Sequence, residues 1–269
     1  MRISVRGAAL IVAGLVGAAA MAAVPAAQAA TKFSVSAALT RTDVTVGQTA
    51  TLHGAVFPSS PGKKVTIQVR QPGSTAWTTL KTATLTSNSQ YSAPVRPTKA
   101  GVTSYRVLKP SSSMHTTGIS ASRSITGWRW RTFASLPIIY PASNSGTTAQ
   151  ASVVLDGQTF SPAVIQVAEG TAIYDLQGRC SKLDAWVSGD PTSTDDTSEY
   201  AHVYAAGQAD PGSFGDIIAT NSVHRDGVPV HIVSGSSVMN LVWSLQIYSN
   251  GVADGNKVAW GNPRVYCKF

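Results

Sequence analysis

Few residues of this chain are of the kinds that perform chemistry, and they are widely spaced. There are two cysteines, Cys180 and Cys267, five histidines and 13 carboxylates. A zinc site needs ligands clustered at short spacings. Neither cysteine has a Cys or His nearby in sequence, and of His53, His115, His202, His224 and His231 only the last two are placed to meet across a hairpin. A nucleophilic enzyme needs a nucleophile, a base within reach and an orienting group, and no G-x-S-x-G elbow occurs. A glycosidase needs two opposed carboxylates, whereas the acids here fall mostly in loops without a recognisable partner. The densest acidic stretch holds Asp190, Asp195, Asp196 and Glu199. With loop carbonyls it offers the hard oxygen ligands of a structural Ca2+, although its spacing matches no EF-hand and a solvated loop is the alternative reading.

Aromatic side chains are the other candidates. Trp128, Arg129, Trp130 and Arg131 alternate. In a strand, both indoles share one face and both guanidinium groups the other. An exposed aromatic pair stacks on sugar rings, and a buried pair is core. The general burial of large aromatics favours core. Trp77, with Arg70 and Lys81 near it in sequence, poses the same choice, and is expected to pack between sheets.

The elements that must position these groups are strands. Only 13% of residues are charged, and the net charge is +8. Such a composition, with abundant Ser, Thr, Gly and Val, is that of a β-rich secreted protein. The cations are scattered, which argues against a nucleic-acid surface. They suit anionic wall polymers, or serve solubility alone. Residues 1–30 read as a signal peptide: Arg2 and Arg6, an apolar run over 8–23, then Ala27-Gln28-Ala29. No later run is long enough to span a membrane, so an extracellular or envelope-associated location is expected. In an exported chain two cysteines pair as a disulfide; a metal pair or a free thiol are the competing readings.

From 31 to 126, short alternating runs are separated by turn residues such as Pro61-Gly62 and Pro72-Gly73. That is roughly seven or eight strands without a helical period, the pattern of an immunoglobulin-like sandwich. The boundary is expected near Thr126-Gly127. From 127 to 269, roughly eight further strands argue a second β-sandwich of the jelly-roll kind. Asp156-Gly157 between two apolar runs marks a hairpin. The last strand alternates, with Val265, Cys267 and Phe269 on one side and Arg264, Tyr266 and Lys268 on the other, and Pro263 is expected at its start.

Two resemblances follow from these motifs. The Gly47 turn, Leu52-x-Gly54-x-Val56, Pro61-Gly62-Lys63 before the strand at Val65, and Ala100-Gly101 before Tyr105 resemble the small immunoglobulin-like modules of secreted actinobacterial proteins. Such modules imply a spacer or adhesive role. In the second half, Leu136-Pro137, the stretch 155–160 (Leu-Asp-Gly-Gln-Thr-Phe), 173–176, 183–190, His202 to Tyr204 and 259–265 resemble, in that order, the NPCBM/NEW2 family. That family is a carbohydrate-binding module found beside glycoside hydrolases, family 98 included, with a galactose-binding-like fold. It carries an acidic residue before the last proline, where this chain has Asn262.

The resemblance implies a secreted, non-catalytic protein that binds a glycan or cell-wall polysaccharide through its second domain. The residues it brings forward are Trp130, Trp186, Trp260, Asp190 and Asn262. A structural or adhesive envelope protein without specific sugar binding is the alternative reading, and a secreted glycoside hydrolase a third.

Overall fold

The computed structural model describes residues 30–140, 146–167, 170–194, 199–206, 216–225, 227–234, 244–251 and 255–269. All regular structure in it is extended, apart from one 3-10 turn at Phe133–Ser135. Twelve strands come first: β1 (Thr31–Lys32), β2 (Ser34–Val35), β3 (Ala38–Leu39), β4 (Asp43–Thr45), β5 (Ala50–Phe57), β6 (Lys64–Arg70), β7 (Thr78–Thr84), β8 (Gln90–Val95), β9 (Gly101–Lys109), β10 (His115–Thr116), β11 (Gly118–Ile119) and β12 (Arg123–Thr132). After the turn come β13 (Ile138–Tyr140), β14 (Thr147–Gln150), β15 (Val153–Leu155), β16 (Gln158–Phe160), β17 (Ala163–Val167), β18 (Thr171–Asp175), β19 (Cys180–Gly189), β20 (Glu199–Ala206), β21 (Asp216–Val223), β22 (Val230–Ser234), β23 (Ser244–Gly251) and β24 (Lys257–Cys267).

Two sandwiches result, each closed over its own core, so the chain is an all-β protein. In the first, β5 with β2, β3 and β8 faces the sheet of β9, β6 and β7. Alternating residues of these strands meet between the sheets, among them Leu52, Val65, Ile67, Tyr91, Tyr105, Val107 and Ile125. In the second, β13-β18-β23-β20-β21 faces β17, β24, β19 and β22. Its core gathers Phe133, Tyr174, Leu183, Ala185, Val187, Val203, Trp260 and Val265. The Asp156-Gly157 hairpin forms as expected: β15 pairs with β16, and both turn residues have positive φ.

The strand that opens with Arg123 joins the two sandwiches. Residues 123–127 of β12 pair with β9, and 129–132 pair with β24. One hydrogen-bonded sheet therefore runs through both halves of the molecule. The expected boundary at Thr126-Gly127 falls inside this strand. Gly127 is needed there for space: a Cβ would lie 2.6 Å from the carbonyl oxygen of Lys99.

The closing strand differs from its sequence reading. Pro263 lies in the middle of β24, not at its start. It is tolerated because the ladder with β19 is bulged there: Asp184 faces Arg264, but Trp186 faces Gly261. Asn262 takes a φ of +49° at this bulge, and its N–H donates to the Pro162 carbonyl at 2.8 Å. The extra residue shifts the alternation. Val258 and Trp260 point into the core on one side of the bulge, and Val265 and Cys267 on the other. Cys180 and Cys267 stand directly opposite each other on β19 and β24 and form a disulfide.

Candidate functional site

In the second sandwich, the outward face of the sheet containing β22, β19 and β24, continued by β12, gathers aromatic and charged side chains. From β22 to β12 it presents His231, then Asp184, Trp186 and Lys182 of β19, then Arg264, Tyr266 and Lys268 at the end of the chain, then Trp128 and Trp130. On β19, β22 and β24 each outward position follows from the strand's alternation, since the residues beside it are core, whereas on β12 the residue between Trp128 and Trp130 is the exposed Arg129. The other half of this face is covered. There the β15–β16 hairpin lays Leu155 and Phe160 over Ala259, with Trp186 packed at the edge of the cluster. Gly261 permits that cover, because a Cβ would meet the Phe160 ring at 2.6 Å.

On the open half the rings form a row. Tyr266 lies between the two indoles, with centroids 5.7 Å from Trp128 and 5.2 Å from Trp130. A cation rests on each ring: Arg264 over Trp130 at 4.7 Å, Lys182 over Tyr266 at 5.4 Å and Lys268 over Trp128 at 5.5 Å. At exposed sites such contacts contribute about 0.5–1 kcal/mol each, so a ligand can displace them. Trp130 is 38% exposed, which overturns the expectation that the Trp128/Trp130 face is core.

A polar network links this row to Trp186. Arg264 donates through Nε and Nη2 to Asp184 Oδ2, at 3.0 and 2.7 Å. His231 Nε2 lies 2.8 Å from Asp184 Oδ1, and its ring stacks on Trp186 with centroids 4.2 Å apart. Burial pushes the Asp184 carboxyl up, but hydrogen bonds from His231 and Arg264 and their charges outweigh it, and its pKa is held below the ordinary value. A carboxyl held ionised by the Arg264 guanidinium and by hydrogen bonds from Arg264 and His231 orients donors; it does not serve as a proton donor near neutral pH.

The five residues brought forward by sequence do not form one site. Trp130 lies on the open half and Trp186 at its border with the covering hairpin, linked through Arg264, Asp184 and His231. Asn262 sits at the bulge beside them. Trp260 is a correction: it is 0% exposed, and its Nε1 donates to Gln166 Oε1 at 3.1 Å inside the core. No ring face is left there for a sugar. Asp190 is 4% exposed at the far end of β19, where Oδ1 accepts from the Thr192 N–H at 2.7 Å and from its hydroxyl. It borders a separate cleft with Thr192 and Lys257. Asp195 and Asp196 lie outside the described residues, as does the side chain of Glu199. Among the described residues no three His, Cys, Asp or Glu side chains gather as a metal site. His224 and His231 serve different places: the His224 carbonyl accepts from Gly189 and Gly227, whereas His231 faces Asp184. Trp77 is not between the sheets but outside them, between Arg70 at 5.0 Å and Arg106 at 4.4 Å.

Sequence reasoning missed Asp184, His231, Arg264 and Tyr266 as members of this face. Their signal was present in the alternation of 182, 184 and 186 and of 264, 266 and 268. What sequence lacked was the register that sets these two triplets side by side.

The chain is thus an all-β, two-sandwich protein with an aromatic and cationic sheet face. No protein-family model and no curated protein matches its sequence. Several solved structures overlap it. The CBM22-1 xylan-binding domain of Paenibacillus barcinonensis Xyn10C aligns over 49% of this chain and 96% of its own, at 10% identity and a TM-score of 0.29. TmCBM61 in complex with β-1,4-galactotriose aligns over 53% and 88%, at 10% identity and 0.24. The enzymatically active domain of bacteriophage CBA120 tailspike protein 4 aligns over 53% of this chain but 19% of its own, at 14% identity and 0.25. Likeness at this level assigns the chain to no family.

Proposed function

We propose that this is a secreted, non-catalytic carbohydrate-binding protein, and that the open face carrying Trp130, Tyr266 and Trp186 is its glycan platform. The observation that carries the reading is the row of the exposed Trp130 and the half-buried Tyr266 beside a fixed Asp184–Arg264–His231 network. An exposed ring stacks on the apolar face of a pyranose, while a few oriented donors and acceptors take its hydroxyls. Three cations already held on that face favour glycans that carry acid groups. The Cys180–Cys267 disulfide suits an oxidising, extracellular compartment.

The test is a glycan panel probed with the full chain, with and without calcium, spanning neutral polysaccharides such as xylan and galactan and acidic ones such as polygalacturonate. Binding is expected, strongest to the acidic members. Trp130→Ala should weaken it about tenfold with the melting temperature unchanged. No binding to any member would sink the proposal.

The same cations favour a second reading, an envelope protein held to anionic wall polymer by charge alone. In that case association with purified wall falls steeply with salt and is indifferent to Trp130→Ala and Trp186→Ala.

A further inference from the structure

The aromatic row does not stop at Tyr266. Trp128 continues it to the line where the two sandwiches meet, and a cleft of about 420 Å3 opens there. One wall is the end of the glycan face, Trp128, Tyr266 and Ser181. The other belongs to the first sandwich: Asp43 and Thr45 of β4, and Gln48 in the turn after it. The two walls are tied together. β4 runs parallel to β12 with Thr45 beside Trp128. Trp128 Nε1 donates to Asp43 Oδ1 at 3.0 Å, and the hydroxyls of Thr45 and Tyr266 are 2.6 Å apart.

We infer that this cleft is the continuation of the glycan site, and that the first sandwich supplies its polar wall. The inference rests on the open face being a glycan platform. Its volume falls within the range of small-molecule pockets, roughly 300–1,000 Å3. Its lining has the makeup of a sugar subsite: a half-buried indole on one wall, and carboxylate, amide and hydroxyl groups on the other. The exposed Asp43 carboxylate keeps acceptor capacity beyond its bonds from Trp128 and Thr42. Gln48 is exposed, and its amide N–H2 is directed by the bond its oxygen takes from the Thr45 N–H at 3.3 Å. A neutral, hydroxyl-rich pyranose unit is the ligand this wall fits; the acidic unit of the same glycan lies further along, at Arg264. The first sandwich is then part of the binding site and not a spacer, and the site accepts a chain of several sugar units lying along β24 and across the joint.

The experiment is a length series on the full chain. Xylo-oligosaccharides, β-1,4-galacto-oligosaccharides and oligogalacturonides, from disaccharide to hexasaccharide, are titrated by calorimetry against the wild type, Gln48→Ala, Asp43→Asn and Trp130→Ala. Melting temperatures are measured alongside. Gln48→Ala makes no bond across the joint, so it tests the wall even if Asp43→Asn loosens the fold. The expected result is that affinity rises with ligand length, and that Gln48→Ala and Asp43→Asn lose about tenfold for the longest ligands and nothing for disaccharides. Trp130→Ala should lose affinity at every length. If the wild type binds but the two wall variants match it at all lengths, the glycan platform stands and the composite site is wrong. If the wild type binds none of the three series, the platform itself fails and the composite site with it.

Discussion

Asp184 holds the middle of the candidate site by accepting from two strands at once, His231 on one side and Arg264 on the other. Because its pKa is lowered in the fold, its contribution to stability is complete above the unfolded carboxylate value of about 3.9 and is lost as pH falls through the lower folded value. Asp184→Asn should therefore cost about 1 kcal/mol at neutral pH, a partly exposed network being screened. The difference from wild type should shrink progressively in thermal melts as pH is lowered below about 4; a gap that stays constant with pH would show that the carboxylate charge is not what holds Arg264. Trp260 is the contrasting residue. The family resemblance brought it forward with Trp130 and Trp186, yet it is core. What separates them is not residue type but the face each occupies, and face is set one level up.

At the scale of the element, the bulge at Asn262 decides that face. Counting back by twos from Tyr266 and Arg264, a regular strand puts Trp260 on the open side. The extra residue reverses the count and sends the indole to Gln166. The alternation of 264 to 268 was legible in the sequence, as was the Asp156-Gly157 hairpin, because both obey a strict local period or a known turn chemistry. The bulge was not, since Asn-Pro reads equally as a turn or a strand start. Asn tolerates the left-handed φ of +49° that the bulge requires. Asn262→Gly should thus be nearly neutral, Asn262→Val should cost about 1–2 kcal/mol, and deletion of Asn262 should cost more than either by throwing core residues to the surface. Urea midpoints of the three variants check the order. Equal losses in the glycine and valine variants would mean that backbone conformation is not the constraint.

At the scale of the whole molecule, sequence foretold two sandwiches but not that they share a strand. A Thr-Gly pair between two strand-rich halves looks like a linker; here it is the middle of β12, with the glycine admitting the Lys99 carbonyl. The two cores nonetheless stay separate, for the buried cluster of the first sandwich ends at Ile125 and that of the second begins at Phe133. Their stabilities should respond differently to the disulfide, which lies wholly in the second. It closes a separation of 87 residues, and the chain-entropy account assigns such a loop about 4–5 kcal/mol. In a Cys180→Ala/Cys267→Ala variant, amide exchange should rise throughout β17, β18, β19 and β24, while β5, β6, β8 and β9 keep their protection. The sharpest reading comes from β12 itself. Its residues 129–132, paired with β24, should exchange faster, and 123–127, paired with β9, should stay as in the wild type, so that the protection boundary falls within one continuous strand. Uniform loss of protection across both sandwiches would mean instead that the shared sheet makes them a single cooperative unit.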